Sequence, residues 1–555
     1  MVLDYRNTRF SFNQVRKRRR QQRLRWLATL VLLTGITLLI IRSVQYRRFH
    51  RIQEDLLEGK ASAAAILEDN PRPLFTAAGM AELQALSQLL EGGLEKGAQS
   101  LRACAHSGYV ASSRFLDRMV DLGRYASLGL YLDFLQKHHS PSPFHRMLYL
   151  TARYRPEDAR RIAFGLGPES RTEYAKALHI LETIWKDLDK GRIACIHDHS
   201  GKILGEYEPA TATIHSRVPG LDLSPFVTVL EKGLRFFTLT LDARLQKQVA
   251  GLFADYHGSC VILNPENNAL LAAFSKPLAS SRGNCAWENR YEPGSVIKVL
   301  TYLSYSQSPD PQLFPLECRG NINLENRIFY DWTRHGQVDS AETALVISCN
   351  IAYARMGLFV GAEKLARTLT EFQFNSLPLK DRCLEFRFGD FQPPPLPPRR
   401  LADLSVGLEE IRITTLHCAL LAATISQSGS MASPHLIATE KNILKLGIYH
   451  HTPKPLVRIS GSRSFAQLQD AMVRVIRESR GTGHRALLPE GPVTAAKTGT
   501  AGDPDLGLDA VMMGFVPADR PAFAFAFRLE RGGKAEINGA RVLKALISGP
   551  LSRSE

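Results

Sequence analysis

Three short motifs in the second half of the chain constrain its fold and chemistry more than any other feature. They are Ser295-Val296-Ile297-Lys298, Ser348-Cys349-Asn350 and Lys497-Thr498-Gly499-Thr500. About 50 residues separate the first motif from the second, and about 150 separate the second from the third. A Ser-x-x-Lys sequence alone often arises by chance, but all three motifs in this order indicate chemistry at an activated serine.

The first motif places a serine and a lysine on one face of a predicted helix. Pro293-Gly294 marks a turn and an apolar helical stretch follows, so Ser295 is expected at a helix N-terminus. Because position i+3 lies on the same face, Lys298 is expected to touch the Ser295 hydroxyl. A lysine that is partly removed from water loses proton affinity and can act as a base. The helix N–H groups would also favour an oxyanion.

The second motif opens another apolar helical stretch. Ser348 and Asn350 can point into one cleft, where the hydroxyl relays a proton to a leaving amine and the carboxamide holds a peptide amide. The alternative is a plain helix cap, since Ser and Asn are both good N-caps.

The third motif is predicted to be a strand. Gly499 would let a substrate backbone approach closely, while Lys497, Thr498 and Thr500 suit a substrate that ends in a carboxylate.

The segment from about Leu234 to Ile547 resembles the transpeptidase domain of penicillin-binding proteins. Further segments carry this resemblance: Thr240 to Gln246, Gly258 to Pro265, Arg290 to Lys298, Gly481-Thr482-Gly483 and Gly514-Phe515-Val516-Pro517. The resemblance implies an α+β fold, with an antiparallel sheet flanked by helices and a helical subdomain, as in serine β-lactamases. It also implies roles for the motif residues: Ser295 as acylated nucleophile, Lys298 as its base, Ser348 and Asn350 as the second catalytic element, and Lys497, Thr498, Gly499 and Thr500 as substrate-binding residues. The oxyanion hole would be the backbone N–H groups of Ser295 and Thr500.

Three departures from the family pattern leave the catalytic side chains intact. Val296 replaces the usual Thr, Gly407-Leu408-Glu409 replaces Gly-Gln-Gly, and Thr414-Thr415 replaces Thr-Pro. A glycosyltransferase signature is not found, because Glu54-Asp55 and Glu68-Asp69 lack the expected continuation. The resemblance therefore implies a monofunctional, class B-like protein.

An uncharged apolar run from Trp26 to Ile41 lies between arginine-rich flanks and predicts one membrane span. A cleaved signal peptide is the alternative, but no small-x-small site follows the run. The preceding flank is the more basic, which predicts a cytoplasmic N-terminus and an extracytoplasmic, periplasmic catalytic domain.

Most of the net charge of +16 comes from the same N-terminal segment. Residues 1–51 hold thirteen Arg or Lys and one Asp, so +12 of the total lies there. This distribution favours a membrane flank over nucleic-acid binding.

The expected organisation has five parts. They are a basic tail (1–25), a transmembrane anchor (26–44), an all-α pedestal or docking region (52–190), a β-hairpin linker (191–233) and the transpeptidase domain (234–548). The helical region shows no fixed repeat, and its partner is expected among cell-wall synthesis proteins.

No metal and no organic cofactor are expected. The eight cysteines include no CxxC pair and no metal-binding spacing, and His197 and His199 fit a solvated turn. Cys285 and Cys318 are the preferred pair if a disulfide forms, and Cys349 is expected to be a packed thiol.

The resemblance implies a D,D-transpeptidase of the inner membrane that cross-links peptidoglycan stem peptides and binds β-lactams. A D,D-carboxypeptidase, a β-lactam sensor and an inactive cell-wall scaffold remain alternatives. One span and a short cytoplasmic tail make the sensor the weakest of them.

Overall fold

The computed structural model describes residues 5–60, 77–104, 110–138, 142–277, 286–308, 312–325, 327–502 and 505–552, with side chains from residue 16 onward. Contacts within the chain divide it into two compact units, Met1–Thr172 and Glu173–Glu555.

The first unit is helical throughout its described residues. Its helices are α1 (Tyr5–Glu58), α2 (Ala77–Glu91), α3 (Leu94–Ala103), α4 (Ser112–Asp121), α5 (Tyr125–Lys137), α6 (Pro143–Ala152), α7 (Pro156–Phe164) and α8 (Pro168–Glu173). Proline occupies the first position of α6, α7 and α8, where its missing N–H would have no intrahelical partner. Apolar side chains on successive turns, such as Leu86, Phe115 and Leu128, are fully buried and form the core of this unit.

Helix α1 is long and apolar enough to cross a membrane, judged by its length and composition. It includes residues 5–25 of the expected basic tail and the expected anchor, and its most apolar window is not buried. Near the end of the helix the pattern changes, because Phe49, Ile52 and Leu56 are buried. Glu54, near the same end of α1, forms an ion pair with Arg114, which donates from Nη2 to Glu54 Oε2 over 2.7 Å.

The second unit mixes strands and helices. Its strands are β1 (Ile193–His197), β2 (Ile203–Glu208), β3 (Thr213–Ser216), β4 (Phe236–Leu239), β5 (His257–Leu263), β6 (Leu270–Lys276), β7 (Leu316–Cys318), β8 (Asn321–Leu324), β9 (Arg327–Tyr330), β10 (Gly336–Val338), β11 (Leu379–Asp381), β12 (Leu384–Phe386), β13 (Asp390–Phe391), β14 (Ile411–Arg412), β15 (Ser430–Ala432), β16 (Ile437–Lys441), β17 (Gly447–His450), β18 (Pro455–Arg458), β19 (Ala495–Ala501), β20 (Asp509–Val516) and β21 (Phe523–Glu530). Its α-helices are α9 (Ala175–Asp189), α10 (Val227–Leu230), α11 (Ala243–Leu252), α12 (Lys298–Ser306), α13 (Ala341–Val346), α14 (Asn350–Val360), α15 (Ala362–Glu371), α16 (Pro398–Val406), α17 (Thr415–Ser426), α18 (Ser462–Arg477) and α19 (Ala540–Ser548). Short 3-10 turns cover Ser224–Phe226, Gly294–Ile297 and His484–Ala486, and a π-helical turn covers Ala535–Gly539.

A five-stranded antiparallel sheet organises this unit, in the order β19-β20-β21-β5-β6. Helices α11 and α19 cover one face, where Val249, Phe527 and Leu543 belong to a single buried cluster. Helix α17 covers the other face and is buried along nearly its whole length, which explains why its sequence is apolar on every side. The sheet is therefore covered on both faces, and β19 remains at its edge.

A second sheet has the order β17-β16-β4-β1-β2-β3. Strands β1 and β2 form the hairpin expected around residues 198–201. Strand β1 also pairs in parallel with β4, so the segment 191–233 shares a sheet with strands that follow Leu234. Helix α9 belongs to the second unit as well, although the sequence analysis assigned it to the helical region 52–190.

The α+β fold class predicted from the sequence is confirmed. The second unit has the expected antiparallel sheet flanked by helices, and helices α12 to α16 with α18 supply the helical part. The first unit is all-α and begins with the apolar helix α1.

Candidate active site

Ser295 lies in the 3-10 turn Gly294–Ile297, which runs directly into α12. Gly294 has a φ of 57°, a conformation that is strained for residues with a side chain. A Cβ atom at this position would lie 2.6 Å from the carbonyl oxygen of Thr500 on β19. The turn is therefore held by backbone contact with the strand of the third motif, and it leaves Ser295 half-buried and facing a cleft.

Gly407 and Gly499 also contact the main chain of the serine turn. Gly294 N–H donates to the carbonyl of Gly407 over 2.8 Å, and a Cβ atom on Gly407 would lie 2.0 Å from Gly294 O. A Cβ atom on Gly499 would lie 2.6 Å from Pro293 O. Gly499 was expected to admit substrate backbone, but its missing side chain makes room for the serine turn. Three segments far apart in sequence thus meet main chain to main chain.

We expect Gly294→Ala to lower both stability and acylation, because it adds backbone strain and a clash with Thr500. The strain alone costs about 1–3 kcal/mol. The control is Gly361→Ala, since Gly361 also has a positive φ of 79° but a Cβ atom there meets no atom within 4 Å. Thermal unfolding and the rate at which a serine-directed acylating probe labels Ser295 measure the two effects. Equal losses in both variants would show that the clash with Thr500 has no effect.

Lys298 is completely buried at the start of α12. Its ammonium donates to Asn350 Oδ1 at 2.7 Å, to the Ser348 carbonyl at 2.8 Å and to Ser348 Oγ at 3.3 Å. A direct hydrogen bond to Ser295 was expected, but none joins these two side chains among the described residues. Burial lowers the pKa of Lys298 to about 8, although Asp331 and then Cys349 oppose the shift.

The Ser348 hydroxyl accepts hydrogen bonds from two lysines. It accepts from Lys298 and also from Lys497 Nζ, which is 2.9 Å away. Since both lysines donate to this oxygen, the hydroxyl hydrogen is free to point towards the cleft. The residue has a φ of 54°, so it precedes the helix in a strained conformation. The side chain that caps α14 is Cys349, whose Sγ accepts from Ala352 N–H at 3.3 Å. Ser348 and Asn350 are thus free of the capping role considered for them.

Lys497 is buried at the base of the cleft. It donates to Ser348 Oγ and to the carbonyl of Thr498, both at 2.9 Å. Burial, followed by the charge of Lys298, holds the pKa of Lys497 well below its ordinary value. Two buried lysines on one hydroxyl therefore make protonation of both costly, which favours a neutral amine in this group.

A cleft of about 250 Å³ opens above these residues and is lined by side chains from all three motifs. Those side chains belong to Ser295, Ser348, Asn350, Thr498 and Thr500. The Thr498 hydroxyl bonds the Thr482 hydroxyl at 2.6 Å, which brings the Gly481-Thr482-Gly483 segment to the same wall. The structure thus brings together every motif residue predicted for the site. Lys298 and Lys497 are buried next to the cleft, and Gly499 packs against the serine turn.

Comparison with known proteins identifies this arrangement. Residues 258–548 match the family described as the penicillin binding protein transpeptidase domain. The chain belongs to the penicillin-binding protein transpeptidase family.

Curated relatives and solved structures agree with this assignment. The peptidoglycan D,D-transpeptidase PbpA of Mycolicibacterium smegmatis is 29% identical over 332 residues, which are 50% of this chain and 62% of that protein. MrdA of Acinetobacter baumannii is 24% identical over 53% of this chain and 51% of its own length. The chain thus matches roughly half to two thirds of such relatives. The D,D-transpeptidase domain of an Eggerthella lenta peptidoglycan glycosyltransferase shares the fold, with a TM-score of 0.56 at 21% identity over 64% of this chain and 97% of that one.

The family's oxyanion hole would use backbone N–H groups of Ser295 and Thr500. Strand β19 is the edge strand of its sheet, and the serine turn lies against Thr500 and Gly499. This placement is compatible with the assignment, which remains a prediction.

The departures from the family pattern lie around this site. Val296 is buried, and the carbonyl of Gly407 supports the turn, so the first glycine of the altered loop keeps its contact. Glu409 has a φ of 45°, and Arg412 pairs with Glu292 at 3.0 Å, so this loop packs against the segment before the serine.

Five lining residues were not predicted from the sequence. They are Trp332, Thr482, Leu508, Lys534 and Glu536. Trp332 donates its indole N–H to the Ser348 carbonyl at 3.3 Å, although 53% of the residue is exposed. Two signals were available in the sequence: the exposed tryptophan, since aromatic side chains are frequent in binding sites, and the Gly481-Thr482-Gly483 segment that carries the family resemblance.

Asp331 was also missed. Its side chain is buried, and Oδ2 accepts from Ile351 N–H at 3.2 Å and from the Cys349 thiol at 3.0 Å. It thus holds the first turn of α14, which carries the second motif.

Proposed function

We propose that the chain is a membrane-anchored serine D,D-transpeptidase that cross-links peptidoglycan stem peptides and is acylated by β-lactams. The observation that carries this proposal is the hydrogen-bonded group Lys298–Ser348–Lys497 beneath a half-buried Ser295. It supplies a nucleophile, a base of lowered pKa and a hydroxyl placed to relay a proton.

In the acylation step, Ser295 Oγ attacks the penultimate D-alanine carbonyl and its proton passes to neutral Lys298. With a pKa of about 8, about a tenth of the lysine is neutral at pH 7. The carbonyl oxygen becomes an oxyanion, which N–H groups of Ser295 and Thr500 would stabilise. No metal or organic cofactor takes part in this step.

Collapse of the tetrahedral intermediate breaks the peptide bond and releases D-alanine. Its amine needs a proton, which Ser348 can give as it takes one from Lys298 through their existing hydrogen bond. Asn350 would hold the amide of the stem peptide, while Lys497, Thr498 and Thr500 would hold the terminal carboxylate. An amine from a neighbouring stem peptide then takes the acyl group, and Ser295 recovers its proton.

Product analysis tests this proposal against the D,D-carboxypeptidase alternative. Full-length protein in detergent is incubated with a pentapeptide stem and an amine acceptor, and the products are identified by mass spectrometry. A cross-linked product that contains both peptides supports the transpeptidase. Release of D-alanine with only the shortened stem would assign the chain to carboxypeptidases, and no turnover would favour an inactive scaffold.

The rate of acylation is expected to increase with pH through an apparent pKa of about 8. The neutral form of Lys298 is the base, and a lysine loses its proton as pH rises, so the reactive fraction grows through this range. The second-order rate constant with fluorescent penicillin, measured from about pH 6 to about pH 10, gives the profile. A rate that does not change across this range would exclude deprotonation of Lys298 as the controlling event.

The anchor is proposed to cross the cytoplasmic membrane once, with the N-terminus inside. A reporter active only outside the membrane should therefore work when fused after residue 60 and fail when fused before residue 20. The motivation is the basic flank before Trp26, which is denser than the flank after Ile41. The opposite pattern would remove the catalytic unit from its proposed substrate.

The region 52–190 is proposed as a helical pedestal or docking surface for other cell-wall synthesis proteins. The described residues of this region do not line the candidate site, which agrees with a role outside the chemistry. The proposed partners are therefore stem peptides, β-lactams, the membrane and cell-wall proteins, with no nucleic acid.

A further inference from the structure

A second cluster of reactive side chains lies behind the second motif. Asp331 Oδ2 lies 3.0 Å from Cys349 Sγ and 3.4 Å from Cys318 Sγ, and these three ligand atoms are all within 4.8 Å of one another. His335 Nε2 lies 3.6 Å from the other carboxylate oxygen of Asp331. Two thiols and a carboxylate therefore meet at one point, and the imidazole of His335 lies beside the carboxylate.

The imidazole of His335 gives an independent sign of a ligand. Its side chain is only 7% exposed, yet Nε2 has no hydrogen-bond partner. The distance to Asp331 is too long for a hydrogen bond. A buried polar nitrogen without a partner is costly, and it is aimed at the same carboxylate that the two thiols approach.

The distances of the two thiols from Asp331 are compatible with a tetrahedral zinc ion. Ligands at 2.0–2.3 Å from such an ion lie about 3.3–3.8 Å from one another, and the two Sγ atoms lie 3.0 and 3.4 Å from Asp331 Oδ2. Sulfur and imidazole donors favour zinc over magnesium or calcium, which prefer oxygen ligands. The metal expected from the chemistry of these donors is therefore Zn²⁺.

We propose that Cys318, Asp331, His335 and Cys349 bind one structural Zn²⁺ ion. Binding forms two Zn–S bonds, one Zn–O bond and one Zn–N bond, and the two thiol protons leave to solvent. His335 lies outside the group formed by the other three ligand atoms, so its side chain would have to rotate to bring Nε2 to the fourth position. This proposal differs from the expectation of a metal-free protein, which was based on the sequence spacing of the cysteines and histidines.

The ion would join two loops to the catalytic motif. Cys318 ends β7, and Asp331 and His335 lie between β9 and β10. Cys349 stands between Ser348 and Asn350, so the ion would fix the main chain of the second motif. Zn²⁺ with two thiolates and one carboxylate has a net charge of −1, the same as ionised Asp331 beside neutral thiols.

Metal analysis of the full-length protein tests this proposal. Protein from zinc-supplied cells, purified in detergent without chelator, should contain about one zinc per chain by mass spectrometry. Cys318→Ser should lose most of it, and His335→Ala should weaken binding at least about tenfold. The control is Cys383→Ser, which removes a partly buried free thiol elsewhere in the same unit and should retain the ion.

A spectroscopic measurement covers the case in which a variant fails to fold. Wild-type protein freed of metal by a chelator is titrated with Co²⁺, and a thiolate-to-cobalt charge-transfer band is expected at one equivalent. Zinc should also raise the thermal unfolding midpoint of the stripped protein, by about 5 °C or more. A folded wild-type chain that reacts with penicillin but holds no zinc and shows no thiolate band would overturn the site and leave the proposed function intact.

Discussion

Ser295→Ala should abolish covalent labelling by penicillin, with at least a 10⁴-fold fall that amounts to about 5.5 kcal/mol or more of lost transition-state stabilisation. The physical reason is that the acyl-enzyme bond forms on Ser295 Oγ, and alanine offers no atom in its place. The remaining cleft can still bind the drug reversibly. Intact-protein mass spectrometry after incubation with penicillin measures the covalent adduct directly.

Two controls make this result specific. Ser462→Ala removes an exposed serine at the start of α18 and should be labelled like the wild type. Circular dichroism and the thermal midpoint of Ser295→Ala should match the wild type, because this half-buried hydroxyl has no hydrogen bond among the described residues. Full labelling of the folded variant would mean that another residue is the nucleophile.

Lys298→Ala should slow acylation by about 10³- to 10⁴-fold while Ser295 stays in place. The change removes the proposed base. It also removes three hydrogen bonds that hold Ser348 and Asn350, so the cleft is expected to lose order as well. Rate constants with fluorescent penicillin, together with the unfolding midpoint, give the two consequences.

Lys298→Arg separates the base from the hydrogen-bonding role. Arginine keeps a positive charge and several donors, but it does not give up a proton in proteins. We expect this variant to be nearly as slow as Lys298→Ala. Acylation at close to the wild-type rate would show that the charge at this position matters and that another group accepts the serine proton.

The sequence predicted which residues meet, but not how they are bonded. Helical periodicity places Lys298 on the same side as Ser295, yet it does not fix the side-chain torsions. The ammonium instead contacts acceptors from a segment about 50 residues away. Ser348 was likewise assigned to the cleft, whereas its positive φ comes from the tertiary setting of the loop and is unusual for a serine.

Contacts between separate loops were the part that the sequence could not supply. The cysteine and histidine positions 318, 335 and 349 have no recognised spacing, because the paths of β7, β9 and α14 bring them together. Gly499 shows the same limit, since the sequence indicated that a backbone could approach closely there but not that Pro293 of the serine turn does so. The strength of the fold prediction came from three motifs in a fixed order, and the helical first unit had no comparable signal. Cys285 lies outside the described residues, and Cys318 is a free thiol beside Asp331, so its pairing with Cys285 gains no support.

The main-chain packing of Gly407 and Gly499 against the serine turn has a consequence for how the cleft can change its specificity. Main-chain dimensions are nearly constant, so the position of the nucleophile relative to β19 does not depend on the volume of nearby side chains. Other parts of the cleft, by contrast, are lined by Trp332, Leu508 and Lys534, which lie outside the three motifs. Substitutions there can reshape the cleft for a different stem peptide or drug while the distance between attacking atom and strand stays the same. Under the proposed function, such substitutions would alter the fit of a β-lactam without changing the geometry between Ser295 and β19.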